Sequence, residues 1–353
     1  MPTPVAYALA RLARRLASGL RNAFDAALLP VGLLLARLDR RPTIRAASPI
    51  RQDLLGPKVA LFCHFDRAGR IRDDLRHYLA ELGRCGFSVV FVSNSRRLQP
   101  AEIIFLQKHC AGVITRRNAG FDFSAWKDAL LAAGLPRPDT TTLLLANDSV
   151  YGPIRPLWPT LAAIDFAVAD LWALTDSWQL RYHLQSYFLI AGPRVLQSHA
   201  WEKFWREVRP LAMKRWVIRR FEVGLSQAML RAGFRLRAVW PYHTLLGAAS
   251  AGAASAGAAT AAGTEDPLLA AGRRQERRIR QALAEGLPLN PTSDLWRALL
   301  RRGYPFLKRE LLRENPTRVA DLWDWRALLA ETSEIDPAII VADLARSARN
   351  RAP

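Results

Sequence analysis

The stretch TTLLLANDSVYGP, Thr141 to Pro153, decides the fold. Three leucines and an alanine run straight into Asn147, Asp148 and Ser149, and Tyr-Gly-Pro then turns the chain. An apolar run of this length, led in by threonines, reads as a buried strand of a parallel sheet. In open α/β sheets ligands sit beyond the carboxyl ends of the strands. An amide, a carboxylate and a hydroxyl are therefore delivered to the edge where a ligand would bind.

The surrounding sequence keeps the same rhythm. KVALFCHFD (58–66) and FSVVFVSNS (87–95) are apolar, β-branched or aromatic runs that end on polar residues, and DDLRHYLAELGRCG between them has helical spacing with a stop at Gly86. A third strand is expected over Gly112–Thr115, followed by the helix FSAWKDALLAAG, which Gly134 ends. FAVADLWAL (166–174) and QSYFLIAG (185–192) supply further strands, and SHAWEKFWREVRPL reads as a helix. Strand alternating with helix predicts an α/β protein with a mostly parallel sheet covered by helices on both faces.

With 353 residues, half of them hydrophobic, the chain can bury a substantial core. Cys63, Cys85 and Cys110 form no CxxC and no metal-type pairing with histidine, which argues for a reducing compartment and against a disulfide scaffold or zinc site. The net charge of +20 comes largely from arginine and would suit nucleic acid, an anionic membrane face or a phosphorylated substrate. A specific nucleic-acid role finds no support: no helix-turn-helix, RNA-binding or zinc signature is present, and the arginines are scattered through every element.

Four regions follow from the pattern. Residues 1–50 hold a basic amphipathic segment, in which Leu9, Leu12, Leu16, Leu20 and Phe24 share one helical face and Arg11, Arg14, Arg15 and Arg21 the other. Pro30 interrupts the apolar stretch that follows, which is too short to span a bilayer, and the arginines run on through the segment, unlike those of a secretory signal. Such a helix suits an anionic membrane surface, so the expected location is cytoplasmic, peripheral at the inner face of the plasma membrane. Residues 57–246 form the α/β domain, 247–265 an Ala/Gly-rich linker or loop, and 266–353 an arginine-rich helical region.

Polar clusters fall at the carboxyl ends of the expected strands. They are Cys63-His64-Phe65-Asp66, Ser93-Asn94-Ser95, the run Arg116-Arg117-Asn118 with Gly120 and Asp122, and Asn147-Asp148-Ser149. Carboxylates and amides can hold a ribose or base, while arginines or a metal offset phosphate charge, so the mix suits a nucleotide diphosphate. Neither GxGxxG nor GxxxxGK[ST] occurs, which disfavours Rossmann dehydrogenases and P-loop enzymes, and no GxSxG elbow marks a hydrolase. Asp122 or Ser124 could alternatively cap the helix that follows, and Asp148 with Ser149 could cap a turn.

NAGFDFSAWKDAL, LLLANDSVYGP, HLQSYFLIAG and PFLKRELLRENP resemble the rhamnan synthesis protein F family, over most of residues 58–320. That resemblance implies a GT-A-like glycosyltransferase domain associated with bacterial polysaccharide assembly. By it, Asn147-Asp148-Ser149 matches the acidic motif that holds a divalent metal, Mg or Mn, on the donor diphosphate, with Asp148 as its one acid where the familiar form has two. Asn118, Gly120 and Asp122 match donor-contacting positions, and His64, Asn94, Arg117, His183 and Gln185 join them as donor-side candidates. Glu222, at the start of a helix ending in Ala-Gly-aromatic-Arg, is similar to the catalytic base of inverting enzymes, with Asp176 second. Any of Trp126, Trp158, Trp172 and Trp178 near a pocket could stack on a sugar.

The expected activity is hexosyl transfer from a nucleotide-sugar donor, such as a dTDP-deoxyhexose, to a lipid-linked glycan acceptor. A non-catalytic glycan-assembly protein that keeps the fold is the alternative, and the missing second acid favours it.

Overall fold

The computed structural model describes residues 23–247, 267–319, 322–333 and 336–349. The Leu9–Leu20 stripe with its arginines and the Ala/Gly-rich run 248–265 lie outside the described residues. Among the described residues eleven strands occur: β1 (Ile44–Ala47), β2 (Lys58–His64), β3 (Ser88–Ser93), β4 (Gly112–Arg116), β5 (Thr142–Asn147), β6 (Val150–Tyr151), β7 (Leu171–Ser177), β8 (His183–Leu184), β9 (Phe188–Ala191), β10 (Leu236–Trp240) and β11 (Leu307–Lys308).

Nine of them build one sheet in the order β1-β4-β3-β2-β5-β9-β7-β10, with β8 attached to β7. The pairs β2–β3, β2–β5, β3–β4 and β7–β10 are parallel. The expected mixed α/β class with a mostly parallel sheet is what forms. Antiparallel pairing enters at the β1 edge and at β9, which runs against both β5 and β7. The reversal of β9 has a simple cause. The chain from Ser177 to Phe188 is too short for the crossover that a parallel neighbour needs, so it returns as a hairpin through β8. β10, inside FRLRAVWP, escapes the sequence pattern because it is an edge strand with only Ala238 buried.

Alternation along the strands divides the core in two. Ala60 and Phe62 of β2 and Leu144 and Ala146 of β5 face one layer, with Leu75, Tyr78 and Leu82 of the Asp73–Arg84 helix. Val59, Leu61 and Cys63 with Leu143 and Leu145 face the other, against Phe123 and Trp126 of the Phe121–Ala133 helix and Trp201, Phe204 and Trp205 of the His199–Glu207 helix. Helices thus cover both faces.

The region after residue 266 does not stand apart from this core. Trp296, Leu300, Tyr304 and Phe306 join the first layer, and Arg297 is ion-paired with Asp324 in the interior. At the other end, residues 23–38 form a helix whose Leu28, Leu29 and Leu33 pack on the second layer. Its outer face leaves Phe24, Val31, Leu34, Leu35 and Leu38 exposed. No described helix is long and apolar enough to cross a membrane.

Candidate functional site

The carboxyl ends of β2, β3, β4 and β5 lie side by side, as parallel register requires. A short ribbon then brings distant sequence to the same edge. β11 pairs with β6, Lys308 opposite Val150, and the Arg309 amide bonds the Ser149 carbonyl at 3.0 Å. The tight turn after Ser149 thereby gains two cations from the C-terminal region.

Lys308 donates from Nζ to Ser149 Oγ at 3.1 Å, and that hydroxyl donates to Asn147 Oδ1 at 2.6 Å. Asn147 Nδ2 donates in turn to Asp122 Oδ2 at 2.8 Å, while the Cys63 thiol donates to Asp122 Oδ1 at 3.3 Å. Four of the expected positions are therefore neighbours: Asn147 and Ser149 at the strand end, Asp148 between them, and Asp122 at the start of the facing helix. Burial pushes the Asp122 carboxyl up from its ordinary range and pulls the Lys308 ammonium down. Groups held away from their usual protonation behaviour at a sheet edge make this cluster a candidate site.

Asp148 is held differently. Its Oδ2 accepts from Arg309 Nη1 at 3.2 Å and from Arg72 Nη1 at 3.5 Å, and Arg309 Nη1 also reaches the Asp148 carbonyl at 3.0 Å. Arg72 bonds Asp74 at 2.9 Å, and both guanidinium groups lie over the Tyr151 ring. The Tyr151 hydroxyl donates to Asp343 Oδ2 at 2.7 Å, and Arg309 Nη2 lies 3.4 Å from the same oxygen. One acid is thus embraced by two arginines that other acids and an aromatic ring keep in place.

Glu222 ends a π-helical turn, Ile218–Glu222, from which the Val223–Arg231 helix continues. Such turns recur at functional sites because they re-aim a side chain. Its Oε1 accepts from the Ser186 amide at 2.8 Å and hydroxyl at 3.1 Å. After burial, the Glu222 charge is the main influence on Lys308, so the two belong to one electrostatic neighbourhood. Asp176, the second candidate base, is buried with Oδ1 on the Tyr242 amide at 2.6 Å, and burial raises its pKa. His183 bonds the Arg181 carbonyl at 2.8 Å. Gln185 accepts from Thr175 Oγ1 at 2.7 Å and lies 3.4 Å from Asn290.

The remaining donor-side candidates serve the frame as placed. His64 is fully buried between Ser93 Oγ and the Arg70 carbonyl, each at 3.1 Å, and burial lowers its pKa. Asn94 accepts from Arg116 at 2.6 Å, and Arg116 also holds Asp128 and Ser124 at 2.8 Å each. Arg117 turns away to Asp39 at 3.1 Å, and Asn118 is exposed. Gly120 has φ +76°, and a Cβ there would lie 2.4 Å from Pro210 Cα, so the glycine is needed for the turn itself. Trp126 and Trp172 are core residues, whereas Trp158 and Trp178 are exposed.

As placed, Asp148 Oδ2 faces guanidinium groups where the resemblance implies a divalent ion. Two guanidinium groups occupy the carboxylate, and among the described residues no three His, Cys, Asp or Glu side chains are grouped to hold a metal. Lys308, Arg309, Arg72 and Asp343 are the side chains of this cluster that residue-by-residue reading of the sequence did not single out. The first two lie inside PFLKRELLRENP, which carried the resemblance without an assigned role. Arg72 and Asp343 carry no local signal: Arg72 sits just before the Asp73–Arg84 helix, and Asp343, on the C-terminal helix, reaches the cluster through Tyr151 and Arg309.

Comparisons with known proteins agree with the sequence motifs. A curated relative in Vibrio anguillarum, "Virulence protein VirA", is 27% identical over 278 residues, 75% of this chain and 83% of its own length. "Uncharacterized protein y4gN" of Sinorhizobium fredii is 29% identical over 178 residues, 49% of this chain, which spans only 45% of that relative. A solved structure from Desulfovibrio desulfuricans G20, described as a nucleotide-diphospho-sugar transferase, covers 64% of this chain and 98% of its own at 15% identity and a TM-score of 0.31, a likeness too distant to bear on the chemistry. Residues 89–253, which include Asn118 to Asp122, Asn147 to Ser149, His183, Gln185 and Glu222, match the family described as rhamnan synthesis protein F, and over that span this chain is similar to it.

Proposed function

We propose that the chain transfers a sugar from a nucleotide diphosphate donor to a hydroxyl of a lipid-linked or growing cell-surface glycan. The observation that carries this reading is the convergence of Asp122, Asn147, Asp148, Ser149 and Glu222 with Lys308 at one carboxyl edge of the sheet, within and beside the span similar to a polysaccharide-synthesis family. In the reaction the acceptor oxygen bonds to the anomeric carbon as the bond from that carbon to the diphosphate breaks. Glu222 takes the acceptor proton, and Ser186 keeps its carboxylate oriented. The departing diphosphate carries away the bonding electrons, and Lys308, Arg72 and Arg309 offset its charge. The exposed Trp178 lies tilted against Tyr182 just beyond the carboxyl end of β7, an aromatic surface suited to the apolar face of an acceptor sugar. Rhamnose or another deoxyhexose is the donor sugar to try first.

The exposed apolar face of the 23–38 helix, on a chain of net charge +20, suits an anionic membrane surface where a lipid-linked acceptor would be met. Sedimentation with anionic liposomes tests this, and equal binding by wild type and Leu34→Glu/Leu38→Glu would overturn it.

Release of nucleoside diphosphate from nucleotide sugars, in wild type and Glu222→Gln, tests the transferase reading. Glu222→Gln is expected to lose about 100-fold or more in rate while still binding donor. Binding without turnover in the wild type, across donors and glycan acceptors, would instead favour a non-catalytic assembly protein. The engaged Asp148 is the specific observation on that side.

A further inference from the structure

A cavity of about 370 Å³, lined by the two arginines that bond Asp148, opens between the 65–73 loop, the Arg309–Glu314 helix and the Ala338–Arg349 helix. Its lining mixes guanidinium and carboxylate groups, and the ion pairs separate those that are free from those that are engaged. Asp66 Oδ1 accepts from the amides of Ala68 and Arg70, Glu102 is bound by Arg76, and Asp343 is held by Tyr151 and Arg309. Arg67, Arg70 and Arg346 line the same space, and their side chains have no partner among the described residues, against the exposed carboxylates of Asp73 and Glu314, while Arg313 adds a further guanidinium to the lining. Arg72 and Arg309 form the inner wall, and both already hold one anion, Asp148.

We infer that this cavity is a diphosphate-binding site in which guanidinium groups, rather than a metal on Asp148, balance the phosphate charge. Arginine forks match phosphate oxygens in pairs and keep their charge at any physiological pH. The volume lies within the range of small-ligand sites. Asp148 and the ligand compete for the same two arginines, which turns the acid from a metal ligand into a gate on the inner wall. The inference uses the transferase reading only to choose diphosphates as probes. Their source is either a nucleoside diphosphate or an isoprenoid diphosphate carrying the acceptor.

Calorimetric titration of the full chain with inorganic pyrophosphate in EDTA tests the site without any turnover. Wild type is expected to bind, and Asp148→Asn, which releases Arg72 and Arg309, to bind as tightly or more tightly. Arg70→Glu/Arg346→Glu removes two partner-free cations from the cavity rim, so the fold should survive, and binding should weaken about tenfold or more. Displacement of pyrophosphate by a nucleoside diphosphate assigns the donor as the source, and displacement by an isoprenoid diphosphate assigns the acceptor. Binding that appears only with manganese and vanishes in Asp148→Asn would overturn the proposal, as would unchanged binding in the double arginine variant or none in wild type. A chain that binds pyrophosphate here yet transfers no sugar would leave this site standing and sink the transferase reading alone.

Discussion

The two edges of the sheet differ in kind. At the amino edge, Lys58, Phe87, Thr142, Trp158, Ile164 and Phe166 line a cavity of about 500 Å³, larger than the one beside Asp148. Its walls are mostly apolar, and Lys58 is the one charged residue lining it. At the carboxyl edge the free space is smaller, but five elements bring acids, amides, an ammonium and guanidinium groups within hydrogen-bond reach of one another. Space alone does not make a site. Parallel strands end together at one edge, and their last residues are free to be polar because they leave the core there.

Breaking the frame of the carboxyl edge should have the largest effect. Arg116 is wholly buried and ties the end of β4 to Asn94, Ser124 and Asp128. Arg116→Ala leaves the largely buried Asp128 without its partner and should cost about 3–5 kcal/mol in urea unfolding. Gly120→Ala should cost about 1–3 kcal/mol by the same measurement, since φ +76° and the approach to Pro210 both resist a Cβ. No such cost is expected from Gly83→Ala, at an exposed helical position with open space around it.

A pH series sharpens the comparison further. Asp122 has its pKa raised by burial, so the folded state holds its proton more tightly than the unfolded chain. Its contribution therefore falls as pH rises from about 4 through the raised value and is constant above it. Asp122→Asn should flatten that part of the curve, read as the difference between wild type and variant, because Asp176 and Asp294 are raised as well. A variant curve parallel to wild type would show that Asp122 is not strained by its site. The smallest effect belongs to the amino edge. Trp158 is 67% exposed, and Trp158→Ala should change stability by less than about 0.5 kcal/mol and leave nucleotide-sugar binding untouched. Lost binding there would reverse the comparison.

The sequence made part of this visible and hid the rest for physical reasons. β2, β3 and β5 could be read because a strand buried on both faces must be apolar along its whole length, so its polar end is conspicuous. Asn147, Asp148 and Ser149 stand out as candidates for the same reason, whereas Glu222 is suggested only by the resemblance. The β6–β11 ribbon could not, because two-residue strands have no period and its halves, Val150–Tyr151 and Leu307–Lys308, lie far apart in the chain. With it went Lys308 and Arg309, and hence the finding that Asp148 faces arginines. The reversal of β9 depended on loop length rather than on composition. Gly120 reads as a ligand approach in sequence, but the structure sets Pro210 against it.

The most direct test of the carboxyl edge as donor site is the melting temperature of wild type and Lys308→Met across a panel of nucleotide sugars. A ligand that binds only the folded state raises Tm. The account predicts that one nucleotide sugar stabilises wild type and that Lys308→Met, which removes the cation bonded to Ser149, loses most of that shift. A panel in which no nucleotide sugar raises the wild-type Tm, or one whose shift survives intact in Lys308→Met, would contradict it.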